Sequence, residues 1–126
     1  CYTEIKDADK KDVNQIASDI RGLAEKGRQG AIELVDLTNG TFTVTNVGAI
    51  GGTGVVPTIN LPETGILGMG RVEKKPVVKD DEIVIRKILP VTLSFDHRVA
   101  DGAQAARFVS ELKQMLEDPF AFMTGI

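Results

Sequence analysis

Ser94-Phe95-Asp96-His97-Arg98-Val99-Ala100-Asp101-Gly102 is the stretch on which the reading of this chain turns. It begins as the end of a β-type run and finishes where a helical pattern starts. The only histidine in the sequence stands between the two, with a carboxylate four residues on and then a glycine. A junction of this kind can aim one imidazole into a cleft and hold its geometry, which is what a general base needs. The same residues allow a plainer reading, with Asp101 capping the following helix and His97 an ordinary surface or core residue. Downstream, Ala105, Phe108, Val109, Leu112, Met115 and Leu116 recur at helical spacing. They predict a helix from about Asp101 to Glu117, stopped by Pro119.

Upstream of the junction the chain reads as strands. Val77-Val78 and Glu82-Ile83-Val84-Ile85 flank Lys79-Asp80-Asp81, a hairpin signal. The second arm is expected to continue through Ile88 to Phe95, with Pro90 marking an edge position or a bulge. Gly65 to Val72 is apolar and glycine-spaced, as in a strand that passes close to other backbone. Thr41 to Thr45 alternates with period two, a half-buried strand. It runs into Asn46-Val47-Gly48-Ala49-Ile50-Gly51-Gly52-Thr53-Gly54, whose glycines allow a tight turn or the close approach of a ligand, or simply a flexible loop. A nucleotide-binding fingerprint is not matched there.

The N-terminal third is helical in pattern. Val13, Ile16, Ala17, Ile20, Leu23 and Ala24 form a single apolar stripe, with Asp7 or Asp9 as the expected cap and Gly27 or Gly30 as the stop. Lys26 and Arg28 near its end suit the helix dipole. Residues 31–40 read as a connector with one short helical turn. Both stripes are expected to face a common sheet. No repeat, low-complexity tract or domain boundary interrupts the 126 residues, which are room for one domain.

Composition narrows the function classes. A net charge of -3 does not suggest a nucleic-acid or anionic-membrane partner. Apolar runs such as Ile88-Leu89-Pro90-Val91 are far too short to span a bilayer. One cysteine, Cys1, and one histidine leave no internal disulfide and make a metal site unexpected. This points to a reducing, cytosol-like compartment. The opening Tyr2-Thr3-Glu4-Ile5 reads as the tail of a strand already under way, so a piece of something longer is expected.

Four motifs in order carry a family resemblance: Gly40 to Gly48, Pro57 to Glu63, Ile66 to Gly70, and Leu93 to Arg98 with Asp101-Gly102. Together they resemble the C-terminal half of the catalytic domain of the dihydrolipoamide acyltransferases of 2-oxoacid dehydrogenase complexes. The resemblance implies an α/β (α+β) fold like that of chloramphenicol acetyltransferase, a mixed sheet with helices packed on it, here incomplete. It implies trimers that associate into a larger core, with active sites between neighbouring subunits. Coenzyme A enters such a site as a substrate from one end and dihydrolipoamide from the other. The lipoyl group would be carried on a domain absent from this chain, and lipoyl domains and the other complex components would be the partners. A cytoplasmic location follows, or the mitochondrial matrix in a eukaryote.

The implied reaction passes an acyl group from a dihydrolipoyl thioester to the thiol of coenzyme A. A free thiol titrates near 8.5 and attacks poorly until deprotonated, so a base near neutral pKa is useful. By resemblance His97 is that base, and Thr45 donates to the tetrahedral oxyanion. A β-branched strand residue is the plainer reading of Thr45. Asp101 is expected to brace the histidine loop or cap the helix, with Arg98 as an ion-pair partner. For coenzyme A the family suggests the Thr45-Asn46 turn and the backbone near Gly70 and Val72. The alternatives are an antibiotic O-acetyltransferase of the same fold and an assembly piece without activity.

Overall fold

The computed structural model describes residues 2–48, 51 and 54–124, and falls into two units that divide between Thr41 and Phe42. The first unit closes on itself. The Glu4 N–H donates to the Asp36 carbonyl at 2.8 Å, the Gly40 N–H reaches the Glu4 carboxylate, and Lys6 Nζ donates to the Thr38 carbonyl. Residues 4–6 are thereby tied to residues 36–40, so the segment satisfies its own ends.

Within that unit, helix α1 spans Val13–Arg28. Its start differs from the sequence expectation. Asp7 sits in the left-handed region at φ 51° without a side-chain cap, ahead of a 3₁₀ turn at Ala8–Lys10. The cap is Asp12, whose side chain accepts from the Gln15 N–H while the Gln15 side chain accepts from the Asp12 N–H. This reciprocal pairing at three-residue spacing satisfies two otherwise orphan donors. The end is a Schellman closure: Gly30 takes φ 66°, its N–H donates to the Gly27 carbonyl, and the Ala31 N–H donates to the Lys26 carbonyl. Lys26 pairs with Asp36 at 3.2 Å and Arg28 with Glu25 at 2.6 Å. The connector's helical turn is the 3₁₀ segment Leu34–Leu37. There the Glu33 N–H, followed by Lys26, holds the Asp36 carboxyl below its ordinary value.

The second unit carries the strands β1 Thr43–Asn46, β2 Gly65–Met69, β3 Glu73–Lys79, β4 Glu82–Ile88 and β5 Val91–Phe95. Three of them form a mixed sheet in the order β1-β2-β5, with β1 parallel and β5 antiparallel to β2. β2 is central and buried, with Ile66 fully enclosed and Leu67 nearly so. The mixed sheet of the sequence reading is present. The single arm expected from Glu82 to Phe95 is not: β4 and β5 belong to different sheets, and Pro90 stands between them. A residue without an N–H fits the break, and its carbonyl still accepts from the Gly70 N–H at 3.0 Å.

β3 and β4 form a separate hairpin from Glu73↔Ile88 to Lys79↔Glu82. The two residues between them, Asp80 and Asp81, have φ of 53° and 62°. Two consecutive left-handed residues are the mark of a type I′ turn, whose twist matches that of paired strands.

Helix α2 spans Gly102–Glu117 and α3 follows at Pro119–Thr124. α2 shares its unit with the sheet, whereas α1 belongs to the first unit. Phe108 of α2 sets its ring against Phe42, just before β1, at 5.9 Å between centroids. No helix among the described residues is long and apolar enough to cross a membrane. Several large apolar side chains remain on the surface, among them Val78, Ile83 and Ile85 of the hairpin.

Candidate active site

His97 leaves the end of β5 on a turn fastened from several sides. The Asp96 N–H donates to the Thr64 carbonyl at 2.8 Å, tying the turn to the residue before β2. The Asp96 carbonyl accepts from the N–H groups of Val99 and Ala100 at 2.9 and 3.2 Å. Its carboxylate accepts the Arg98 N–H at 2.9 Å and grips the Arg98 guanidinium, Nε at 3.0 Å and Nη2 at 2.7 Å. Those Arg98 hydrogen bonds hold the Asp96 carboxyl down at about 2, and they raise Arg98 above its ordinary value. His97, between the two, is exposed, with its ring tilted against Phe95 at 5.4 Å. The imidazole is thus presented to the outside on a rigid stem.

Asp101 takes the plainer of its two expected roles. It is the N-cap of α2, accepting the Gln104 N–H at 2.8 Å while Gln104 Oε1 accepts the Asp101 N–H at 2.9 Å. Its carboxylate is spent on the helix, and the turn is braced through the helix start. Arg98 is paired with Asp96 and not with Asp101. Reading the sequence did not single out the Asp96–Arg98 clamp. Its only signal is an acid and a guanidinium on either side of the histidine.

Thr45 lies half-buried in β1, opposite Gly68 of β2. Asn46 follows, exposed, with Oδ1 accepting the Gly48 N–H at 2.8 Å, while the Val47 N–H donates to the Met69 carbonyl. This turn is pressed against the Gly70 backbone. A Cβ on Gly48 would come within 2.9 Å of the Gly70 carbonyl oxygen, which only a glycine avoids. Thr45, Asn46 and Gly70 therefore meet at one end of the sheet. Gly70 is buried there with its N–H already given to Pro90, and Val72, two residues on, is exposed. Of the glycine-rich segment, Ala49, Ile50, Gly52 and Thr53 lie outside the described residues, as does Cys1.

Glu63, the last residue of the Pro57 to Glu63 motif, has a bracing role that the motif did not announce. Its carboxylate accepts the buried Thr43 hydroxyl at 2.5 Å and approaches Asn60 Nδ2 at 3.4 Å. It follows a cis Leu61–Pro62 bond and closes the loop that leads into β2.

The register separates the two expected catalytic residues. Thr45 stands level with Gly68, and Gly68 with Thr92, whereas Phe95 stands level with Gly65. Three residues of strand and two strand spacings lie between, about 10 Å in each direction or about 14 Å overall before the chain reaches His97. Strand side chains stand perpendicular to the sheet, so the Thr45 hydroxyl does not point along that path. Thr45 and His97 of one chain are at opposite ends of the sheet.

Comparison with known proteins agrees with the fold and the motifs. Residues 3–124 match the family model for the 2-oxoacid dehydrogenases acyltransferase (catalytic domain). The acetyltransferase component of the Bacillus subtilis pyruvate dehydrogenase complex is 44% identical over 115 residues, which are 91% of this chain and 26% of that protein. The Azotobacter vinelandii dihydrolipoamide acetyltransferase superposes with a TM-score of 0.91 at 38% identity, over 96% of this chain and 50% of that one. The cubic core of the pyruvate dehydrogenase multienzyme complex superposes with a TM-score of 0.86 at 38% identity, over 91% and 47%. This chain thus spans about a quarter of the curated relative and about half of the solved chains. With its mixed sheet and its histidine turn, the chain belongs to the 2-oxoacid dehydrogenase acyltransferase family.

Proposed function

We propose that this chain supplies the histidine and threonine of an acyltransferase site, moving an acyl group between dihydrolipoamide and the thiol of coenzyme A. The observation that carries the reading is the rigid turn that holds His97 exposed at the end of β5. Spacing supports it. The catalytic mechanism of the Azotobacter protein has been examined at a serine fifty-two residues before a histidine and an asparagine four after it. Thr45 and Asp101 stand at those same intervals from His97. Threonine keeps the hydroxyl of serine, and aspartate keeps the acceptor oxygen that caps α2.

In this mechanism His97 takes the proton from the coenzyme A thiol, and the thiolate sulfur attacks the acyl carbonyl of the dihydrolipoyl thioester. The Thr45 hydroxyl donates to the resulting oxyanion, a contribution of roughly 10²–10³ in rate for such a donor. Collapse breaks the carbon–sulfur bond to dihydrolipoamide, and the departing thiolate recovers the proton from the imidazolium. Asn46 spends its Oδ1 on Gly48, so its amide NH₂ is the group it would offer to coenzyme A beside Gly70 and Val72.

Thr45 and His97 at opposite ends of one sheet lead to a site shared between copies, His97 of one chain facing Thr45 of the next. The 126 residues then correspond to the C-terminal part of the catalytic domain, and the lipoyl group arrives on a separate domain. Homo-oligomeric assembly, with lipoyl domains and the other complex components as partners, completes the reading, in the cytoplasm or the mitochondrial matrix. Membership of the family sets aside the antibiotic O-acetyltransferase alternative.

The test is His97→Ala in the full-length protein. Turnover in a thioester assay should fall at least about a hundredfold, the low end for a positioned base, with assembly unchanged by light scattering. Undiminished turnover would refute the reading and leave the chain an assembly module.

A further inference from the structure

The β3–β4 hairpin carries a charge pattern that neither the fold nor the acyl-transfer site uses. Alternation places Lys74, Pro76 and Val78 of β3 on one face, level with Lys87, Ile85 and Ile83 of β4. That face is open: Val78 is 74% exposed, Ile83 80% and Ile85 70%. At its base two lysines stand directly across from each other, an arrangement that costs stability. At its tip are Asp80 and Asp81, two like charges in the turn. None of these four charged residues makes an ion pair among the described residues. A positive base, an apolar middle and a negative tip follow one another along one ribbon.

The spacing of that pattern is symmetric about the level of Val77 and Val84. Lys74 lies three positions below Val77 and Asp80 three above it; Lys87 and Asp81 are placed likewise about Val84. We propose that this face is an interface for a second copy of the chain. Two hairpins stack there face to face and antiparallel about a two-fold axis lying between them. Lys74 and Lys87 of one copy then meet Asp80 and Asp81 of the other, while Ile83 covers Ile85 and Val78 covers Pro76. The parallel arrangement would set base on base and tip on tip, opposing like charges, and is disfavoured. Self-complementarity of this kind selects another copy over an unrelated partner, because one surface supplies both signs at matching distances. The apolar centre is far smaller than the ~800 Å² per partner of a free-standing interface, so the contact works as one among several in an assembly. It makes no use of Thr45 or His97 and stands or falls apart from the catalytic reading.

The experiment uses the full-length protein, with oligomeric mass followed by sedimentation against protein and salt concentration. Lys74→Glu/Lys87→Glu sets negative against negative and should raise the concentration at which the assembly dissociates by about tenfold or more. Adding Asp80→Lys/Asp81→Lys to that variant restores the complement and should bring it back toward the parent value. Parent-like association of the first variant, or no recovery in the second, would overturn the proposal. A loss that Asp80→Asn/Asp81→Asn does not share in any degree would also overturn it, since it would place the acidic partner on another molecule. If the charge variants fail to fold, a cross-link decides instead. In a Cys1→Ser background, Ile83→Cys chains mixed with Ile85→Cys chains should give covalent dimers on oxidation in greater yield than either alone. Equal yields in the mixture and the separate samples would count against the antiparallel register.

Discussion

Complementation between two inactive variants tests the shared site most directly. One variant is Thr45→Ala, which keeps His97; the other is His97→Ala, which keeps Thr45. The sheet sets these residues at opposite ends, about 14 Å apart by strand rise and spacing. The base must lie about 3 Å from the attacking thiol and the donor about 3 Å from the oxygen of the carbonyl it attacks, so the two side chains must converge on one reacting centre. If each site takes its histidine from one copy and its threonine from the neighbour, a mixed assembly contains some intact sites. These are the sites where His97 comes from a Thr45→Ala chain and Thr45 from a His97→Ala chain. With equal proportions and random assembly about a quarter of the sites are of that kind, for a head-to-tail contact within a closed ring. Co-expressed full-length chains should therefore recover about a quarter of parent turnover, while each variant alone stays near background. Thioester formation from coenzyme A is the assay, with the chain ratio taken from intact mass. Sites built within one chain would each keep a defect, so no recovery in a verified mixed assembly would refute the reasoning.

Further outcomes follow from the same geometry. Thr45→Ser should keep most of the turnover, whereas Thr45→Ala and Thr45→Val should lower kcat by roughly 10²–10³ and move KM little; equal tolerance of all three would leave Thr45 a strand residue. Asp101→Ala should destabilise by about 1 kcal/mol through loss of the α2 cap, with Asp101→Asn close to the parent, as read from urea midpoints; equal losses in the two would argue against the cap. The Asp96 carboxyl is held at about 2, below its ordinary 3.8. Its pairing with Arg98 therefore contributes stability above about pH 4, which is lost as the pH falls toward 2. Asp96→Asn should flatten that part of the stability–pH curve, and the change should be modest because Arg98 is 87% exposed.

Much of the local structure was legible because short-range chemistry decides it. The stop at Pro119, the acid before Gly102 and the apolar spacing from Ala105 to Leu116 set α2 at Gly102–Glu117. The β3–β4 hairpin followed from two β-rich arms around Asp80-Asp81, residues that tolerate left-handed backbone. At the other helix the local competition went differently. Asp12 with Gln15 three residues on forms the reciprocal cap, which neither Asp7 nor Asp9 has at that spacing.

The candidate site was legible as residues but not as an arrangement. His97, Thr45 and Asp101 could be named from motifs, yet each motif is silent about where strands far apart in sequence align. The pairing of Thr43 with Ile66 and of Gly65 with Phe95 is set by burial of β2 from both sides, a long-range choice of register. That register sends Thr45 and His97 to opposite ends. It also parts β4 from β5 at Pro90, where an apolar run gives no sign of changing sheets. Sequence by itself determined α1, α2 and the hairpin and named the candidate side chains, because those depend on neighbours a few residues away. Tertiary structure alone decided that β4 and β5 part into different sheets and that Thr45 and His97 of one chain stand at opposite ends of the mixed sheet, because strand register is set by burial between residues far apart in sequence.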